Sequence, residues 1–143
     1  MIDLDDAREI QNLINAYHEA GSVGDFPRMI ATFAPDAVWE FTQSGSTFQG
    51  HAAISEAVAA FTAALEYVAQ INAPAVIMVD GDAANARSSI RESGKFAGRD
   101  EGVEAFGIYH DSLVRDASGW KFARRAFDLK WMHRVPILPV SAG

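Results

Sequence analysis

The chain has 143 residues, 49% hydrophobic and 22% charged, which fits one folded domain and excludes global disorder. A formal net charge of −7 disfavours nucleic acid and anionic membrane surfaces as partners, and the lack of cysteine excludes disulfides, thiolate nucleophiles and cysteine metal sites. The acidic start MIDLDDAREIQN does not read as a secretory leader and no run reaches bilayer length, so the expected location is cytoplasmic.

In chain order, Asp3 or Asp5 caps a first helix with the apolar stripe Ala7, Ile10, Leu13, Ile14, Tyr17 and Ala20, ending near Gly21. His18 falls at the edge of the stripe and is expected in solvent. Asp25-Phe26-Pro27 starts a second helix that buries Met29, Ile30 and Phe33 and breaks at Pro35-Asp36. Ala37 to Thr42 alternates as a strand, with Trp39 and Phe41 on one face and Val38 and Glu40 on the other. Gln43 to Thr47 reads as a polar turn, and a third helix runs from about His51 to Glu66 with Ile54, Val58, Phe61 and Leu65 on one face.

Four strand-like runs follow: Tyr67–Val79, Ala84–Phe96, Val103–Val114 and Trp120–Trp131, separated by turn-forming Gly, Asp and Ser clusters. Pro74 cannot donate to a ladder, which predicts an edge, bulge or bend there. Helices first and a strand meander second predict an α+β fold, with three N-terminal helices packed on a strongly curved, mostly antiparallel sheet. A single domain is placed at 1–134, with an extended tail at 135–143.

No glycine-rich phosphate loop, paired-histidine spacing or Gly-x-Ser-x-Gly elbow is present; His18, His51, His110 and His133 occur singly. The sequence therefore points to neither a metal nor a cofactor. What remains is a set of isolated polar residues in apolar surroundings. Alternation puts Ala86, Ser88, Ile90 and Glu92 on one face, Tyr109 and Asp111 on one face, and Arg125, Phe127, Leu129 and Trp131 on one face. If those faces are concave, a pocket holds a carboxylate, a guanidinium and a phenol among aromatic walls. The alternative is ordinary cross-strand pairing, Glu92 with Arg87 and Arg91 with Glu104. Tyr17, on the buried stripe, needs a partner for its hydroxyl, either a ligand oxygen or a backbone carbonyl.

Three strings carry a family resemblance: YHEAGSVGDFPRMIATFAPDAVWEF at the end of helix one, Gly107-Ile108-Tyr109-His110-Asp111, and GWKFARR from Gly119 to Arg125. They resemble the "Y…GDW…lFapDav", "GxYxDxlvR" and "GWrfaxR" patterns of the SnoaL-like branch of the nuclear transport factor 2-like superfamily, over roughly Asp5 to Trp131. The resemblance implies a cone-shaped α+β barrel and a range of functions that includes scytalone dehydratase, ketosteroid isomerase, a dehydrochlorinase, polyketide cyclases and non-catalytic binders. The dehydratase-type Asp-His pair falls on Ser22 and Gln70, and the isomerase aspartate falls on Phe41, none of which is a base near neutral pH. Tyr17 matches the isomerase tyrosine that holds an oxyanion, and Trp39, Tyr109 and Arg125 match pocket-lining places.

Two functional readings follow. One is a cofactor-free lyase, isomerase or cyclase acting on a small apolar, cyclic or aromatic molecule. Tyr17, Glu92, Tyr109 and Arg125 are its catalytic candidates, and His18, Ser22, Trp39, Phe41, Gln70, Ile90, Asp111 and Phe127 its binding candidates. The other keeps the pocket for binding alone, or treats the protein as a dimeric interaction module. The resemblance also implies a homodimer through the convex sheet face, built from Phe106, Ile108, His110 and Phe122.

Overall fold

The structure is a computed structural model describing residues 4–138 and 140. Helices α1 (Leu4–Ser22), α2 (Phe26–Ile30) and α3 (Gly50–Thr62) pack against seven strands. These are β1 (Phe33–Phe41), β2 (Ser46–Gln49), β3 (Leu65–Asn72), β4 (Val76–Asp80), β5 (Ala83–Phe96), β6 (Glu101–Asp116) and β7 (Gly119–Pro136). The strand order is β2-β1-β7-β6-β5-β3, with β4 also paired to β5, and only β1 and β7 run parallel. The sheet is curved but not closed, and the helices lie over its concave side.

Helix α1 carries Asp5 and Asp6 in its first turn, where carboxylates favour the positive end of the helix. Its Ile10, Ile14, Tyr17 and Ala20 are buried, and full burial of each isoleucine stabilises the fold by roughly 1.5–3 kcal/mol. The chain leaves α1 through Gly24 at φ 76°, a conformation that costs glycine nothing. Asp25 then caps α2 by accepting from the Arg28 amide at 3.3 Å. Asp3 lies outside the described residues.

Several local expectations are corrected. Helix α2 stops at Ile30, so Phe33 opens β1 instead of closing a helix. The supposed turn at 43–47 contains the start of β2. Helix α3 ends at Thr62, and Leu65 and Glu66 already belong to β3. The run 67–79 is split at Pro74 into β3 and β4, which pair with successive stretches of β5. Strand β7 continues through Val135 and Pro136, opposite Gly102 and Glu101, so the extended tail begins later than residue 135; residues 139 and 141–143 lie outside the description.

Two bulges in β7 account for the remaining differences. Ser112 pairs with Arg124 but Leu113 with Phe122, so Ala123 is an extra residue. Simple alternation puts Phe122 on the convex side, but the bulge turns it inward, where it is fully buried against Phe33. Likewise Phe106 pairs with Trp131 but Gly107 with Leu129, which makes Lys130 extra and turns Trp131 outward. There Trp131 stacks on Phe106 (6.2 Å between centroids) beneath the Arg91 guanidinium.

Gly107 sits beside this second bulge for a steric reason. A Cβ there lies 2.5 Å from Cζ of Phe127 and 2.8 Å from the Asp128 carbonyl oxygen. Gly107→Ala is expected to lower stability by about 1–3 kcal/mol in urea unfolding, because the added carbon overlaps both the Phe127 ring and the Asp128 carbonyl and forces one of them to shift. An unchanged midpoint contradicts this close packing.

Candidate active site

Between α1, α2, α3 and the concave sheet lies a cavity of about 740 Å³. Its walls are mainly aromatic and aliphatic. Trp39 and Phe41 come from β1, Val58 and Phe61 from α3, Leu65 and Val68 from β3, and Phe127 and Leu129 from β7. Trp39, Phe41 and Phe61 pack as a mutual cluster at 4.8–5.9 Å between centroids. The exposed side chains of Met132, His133 and Arg134 form the rim.

The polar groups facing the cavity are few: Tyr17, Gln70, Glu92 and Tyr109 in the interior, with Thr62 beside α3's last turn. The Tyr17 and Tyr109 hydroxyls lie 3.3 Å apart. Burial raises both phenols above their ordinary values, Tyr17 strongly, so both remain neutral donors. The Trp39 indole N–H is buried without a hydrogen-bond partner, although it lies near enough to Tyr109 to favour that phenol's ionisation. Glu92 sits beside Gln70 in register, and the Gln70 amide nitrogen is 3.4 Å from its carboxylate. Among the described residues no cation bonds Glu92, and burial alone raises its carboxyl above the ordinary value.

Beneath the phenols lies an ion pair with no exposure at all. Arg125 donates through Nε and Nη2 to the two Asp111 carboxylate oxygens at 2.8 and 3.1 Å. Its guanidinium carbon lies 3.8 Å from the Tyr109 ring centre, 4.2 Å from Phe122 and 4.3 Å from Tyr17. Burial, the largest influence, depresses Arg125, but the Asp111 carboxylate together with the Tyr109 and Tyr17 phenols holds the guanidinium above its usual value.

The sequence candidates divide cleanly. Tyr17, Trp39, Phe41, Gln70, Glu92, Tyr109 and Phe127 line the cavity. Arg125 and Asp111 lie behind the wall, paired with each other, and Glu92 is not among Arg125's hydrogen-bond partners. Neither do the alternative Glu92–Arg87 and Arg91–Glu104 pairs: Glu104 meets His133 instead, at 3.3 Å. Ile90 is core, 1% exposed. Ser22 is structural: its hydroxyl accepts from the backbone N–H of Gln70 at 2.8 Å and donates to the His18 carbonyl at 3.0 Å, tying α1 to β3. His18 reverses its expected place. It is 1% exposed, with Nδ1 2.8 Å from the Gln70 side-chain oxygen. The sequence reading missed Phe26, Val68, Phe96 and Val103 as wall residues, whereas Met29, Val58, Phe61 and Leu65 were visible as apolar helix-face positions. Among the described residues no cluster of potential ligands is placed to hold a metal, and no helix is long and apolar enough to cross a membrane.

Burial, together with the Arg125 charge, lowers His18 from 6.5 to about 3, so its imidazole is neutral at physiological pH. Between those values the unfolded chain takes up a proton that the fold refuses, so stability falls as pH drops. The His18 contribution to that loss between pH 7 and pH 4 is about 3 kcal/mol. His18→Gln is expected to flatten this part of the acid limb when urea unfolding is compared at the two pH values. Equal pH dependence in both proteins contradicts the buried neutral imidazole.

Comparison with known proteins supports the fold. A Novosphingobium aromaticivorans structure provisionally named an aromatic ring hydroxylase is similar at TM-score 0.84 and 26% identity, over 94% of this chain and 96% of the other. Another from that species, provisionally named a scytalone dehydratase, gives 0.82 at 19% identity over 98% and 96%. A type 3 hexachlorocyclohexane dehydrochlorinase from Novosphingobium barchaimii gives 0.84 at 15% identity over 96% and 97%; at such identities the likeness is one of fold. No curated protein matches the sequence. The SnoaL-like domain pattern matches residues 3–126, most of the chain, and the protein belongs to the SnoaL-like domain family.

Proposed function

We propose that the protein is a cofactor-free lyase or isomerase that removes a proton from carbon next to a carbonyl in a small cyclic or aromatic compound. The observation that carries this reading is the unpaired Glu92 carboxyl facing the same apolar chamber as two neutral phenols. A carboxylate without a cation partner in apolar surroundings is a stronger base than one in water. Glu92 takes the proton, the C–H electron pair moves toward the carbonyl, and negative charge gathers on its oxygen. Tyr17 and Tyr109 donate hydrogen bonds to that oxygen. Arg125 supports them from behind, because its positive charge lies against both rings while its Nε and Nη2 are committed to Asp111; its Nη1 is buried without a partner among the described residues. Return of the proton to another carbon completes an isomerisation, and loss of a β-substituent completes an elimination. Two neighbours of the same fold carry the names of a dehydratase and a dehydrochlorinase, both eliminations, which agrees with this reading.

The cavity volume suits a guest of about two or three fused rings. A binding-only role is the second reading. It is favoured by Ser22, which stands at the place of the family's usual aspartate and is consumed in backbone contacts.

The test needs no knowledge of the natural substrate. Bicyclic enones and aromatic ketones are first screened for thermal stabilisation, then incubated with protein in heavy water and followed by NMR. Deuterium is expected to enter next to the carbonyl. Glu92→Gln should slow this by about 10²–10⁴-fold, and Tyr17→Phe or Tyr109→Phe by about 10²–10³-fold. Stabilising ligands that show no exchange leave binding as the function.

A further inference from the structure

A hydrogen-bonded chain leads from the buried interior to the chamber wall, and the proposed chemistry does not yet use it. It runs from His18 on α1 through Gln70 on β3 to Glu92 on β5: Nδ1 to the amide oxygen at 2.8 Å, and the amide nitrogen to the carboxylate at 3.4 Å. We propose that His18 and Gln70 act as an adaptor that reverses its hydrogen bonds when Glu92 gains a proton. The proposal rests on the reading of Glu92 as the proton acceptor and names two positioning residues for it.

A carboxylate only accepts, so ionised Glu92 requires the amide N–H₂ to face it. That leaves the amide oxygen facing His18, which must carry its proton on Nδ1. Protonated Glu92 has an O–H to donate. The amide then serves it better turned over, oxygen toward Glu92 and N–H₂ toward His18, whose Nδ1 must be bare and whose proton must sit on Nε2. The imidazole stays neutral throughout: one proton leaves Nδ1 and one arrives at Nε2, exchanged with water admitted to the cavity.

Three features of the site permit this. The two amide orientations occupy the same space. At position 21 glycine leaves room beside the amide, since a Cβ there lies 3.4 Å from its oxygen and 3.5 Å from its carbon. His18 Nε2 is buried with no protein partner among the described residues, so no neighbouring donor opposes a proton there once the Gln70 amide turns over. The titratable groups facing Glu92 do not compete for the role. Tyr17 and Tyr109 bond each other, Arg125 is held by Asp111, and His133 and Arg134 at the rim pair with Glu104 and Glu101. Holding the carboxyl in one place in both states keeps its geometry for accepting a proton and for giving it back.

Long-range ¹H–¹⁵N spectra of ¹⁵N-histidine protein report the tautomer, with the His18 signal assigned through His18→Gln, while ¹³C-glutamate spectra report the Glu92 titration. As pH falls through the Glu92 transition, His18 Nε2 should pass from the unprotonated to the protonated range, with the same midpoint as the carboxyl. Glu92→Gln should abolish that passage. A tautomer that stays fixed through the transition, or one that switches unchanged in Glu92→Gln, overturns the proposal. Deuterium exchange that survives Glu92→Gln overturns the functional reading instead, whichever tautomer is found.

Discussion

The site is organised around a charge pair that never meets water. An arginine and an aspartate in an apolar interior each carry a desolvation cost of several kcal/mol, and only close bidentate contact offsets it. Arg125 and Asp111 have that contact, and three rings close around the guanidinium. Removing either partner strands the other charge, which typically costs about 3–5 kcal/mol. The bulge at Ala123 is part of the same arrangement, because it turns Phe122 to the side where Arg125 already points. The pair therefore fixes the faces of Tyr17 and Tyr109, and with them the direction of the two hydroxyls.

A neutralised pair behind the wall leaves the chamber with one unneutralised carboxyl. Burial acts on its surroundings in opposite directions, raising Glu92 and lowering His18 to about 3. Environments that separate titratable groups in this way commonly mark acid and base roles. Here the imidazole stays a neutral hydrogen-bonding element, and the Glu92 carboxyl holds a proton more readily than it would in water.

Much of this was legible in the sequence because periodicity reports burial. The stripe of α1 put Tyr17 inward, alternation put Trp39 and Phe41 on one face, and Tyr109 and Asp111 on another shared face. Alternation failed where its premise failed. A bulge shifts every later residue by one, so Phe122 and Trp131 were assigned to the wrong sides. His18 was misjudged for a different reason: a helix edge position becomes interior when a strand packs over it, and β3 supplies both that cover and the Gln70 oxygen. The partner of Arg125 depends on strand register, which one-strand alternation does not supply: Asp111 lies directly opposite it on β6, whereas Glu92 sits one strand further away on β5.

The account's central claim is that one chamber holds a carboxyl and a pair of phenols directed at the same guest. A crystal structure with 2-naphthol, a planar mimic of an enolised bicyclic ketone, tests it most directly. The account predicts the naphthol oxygen within hydrogen-bonding distance of the Tyr17 or Tyr109 hydroxyl, with a ring carbon facing Glu92. A chamber filled by its own side chains, or naphthol bound with its oxygen turned to the Met132–Arg134 rim, contradicts it.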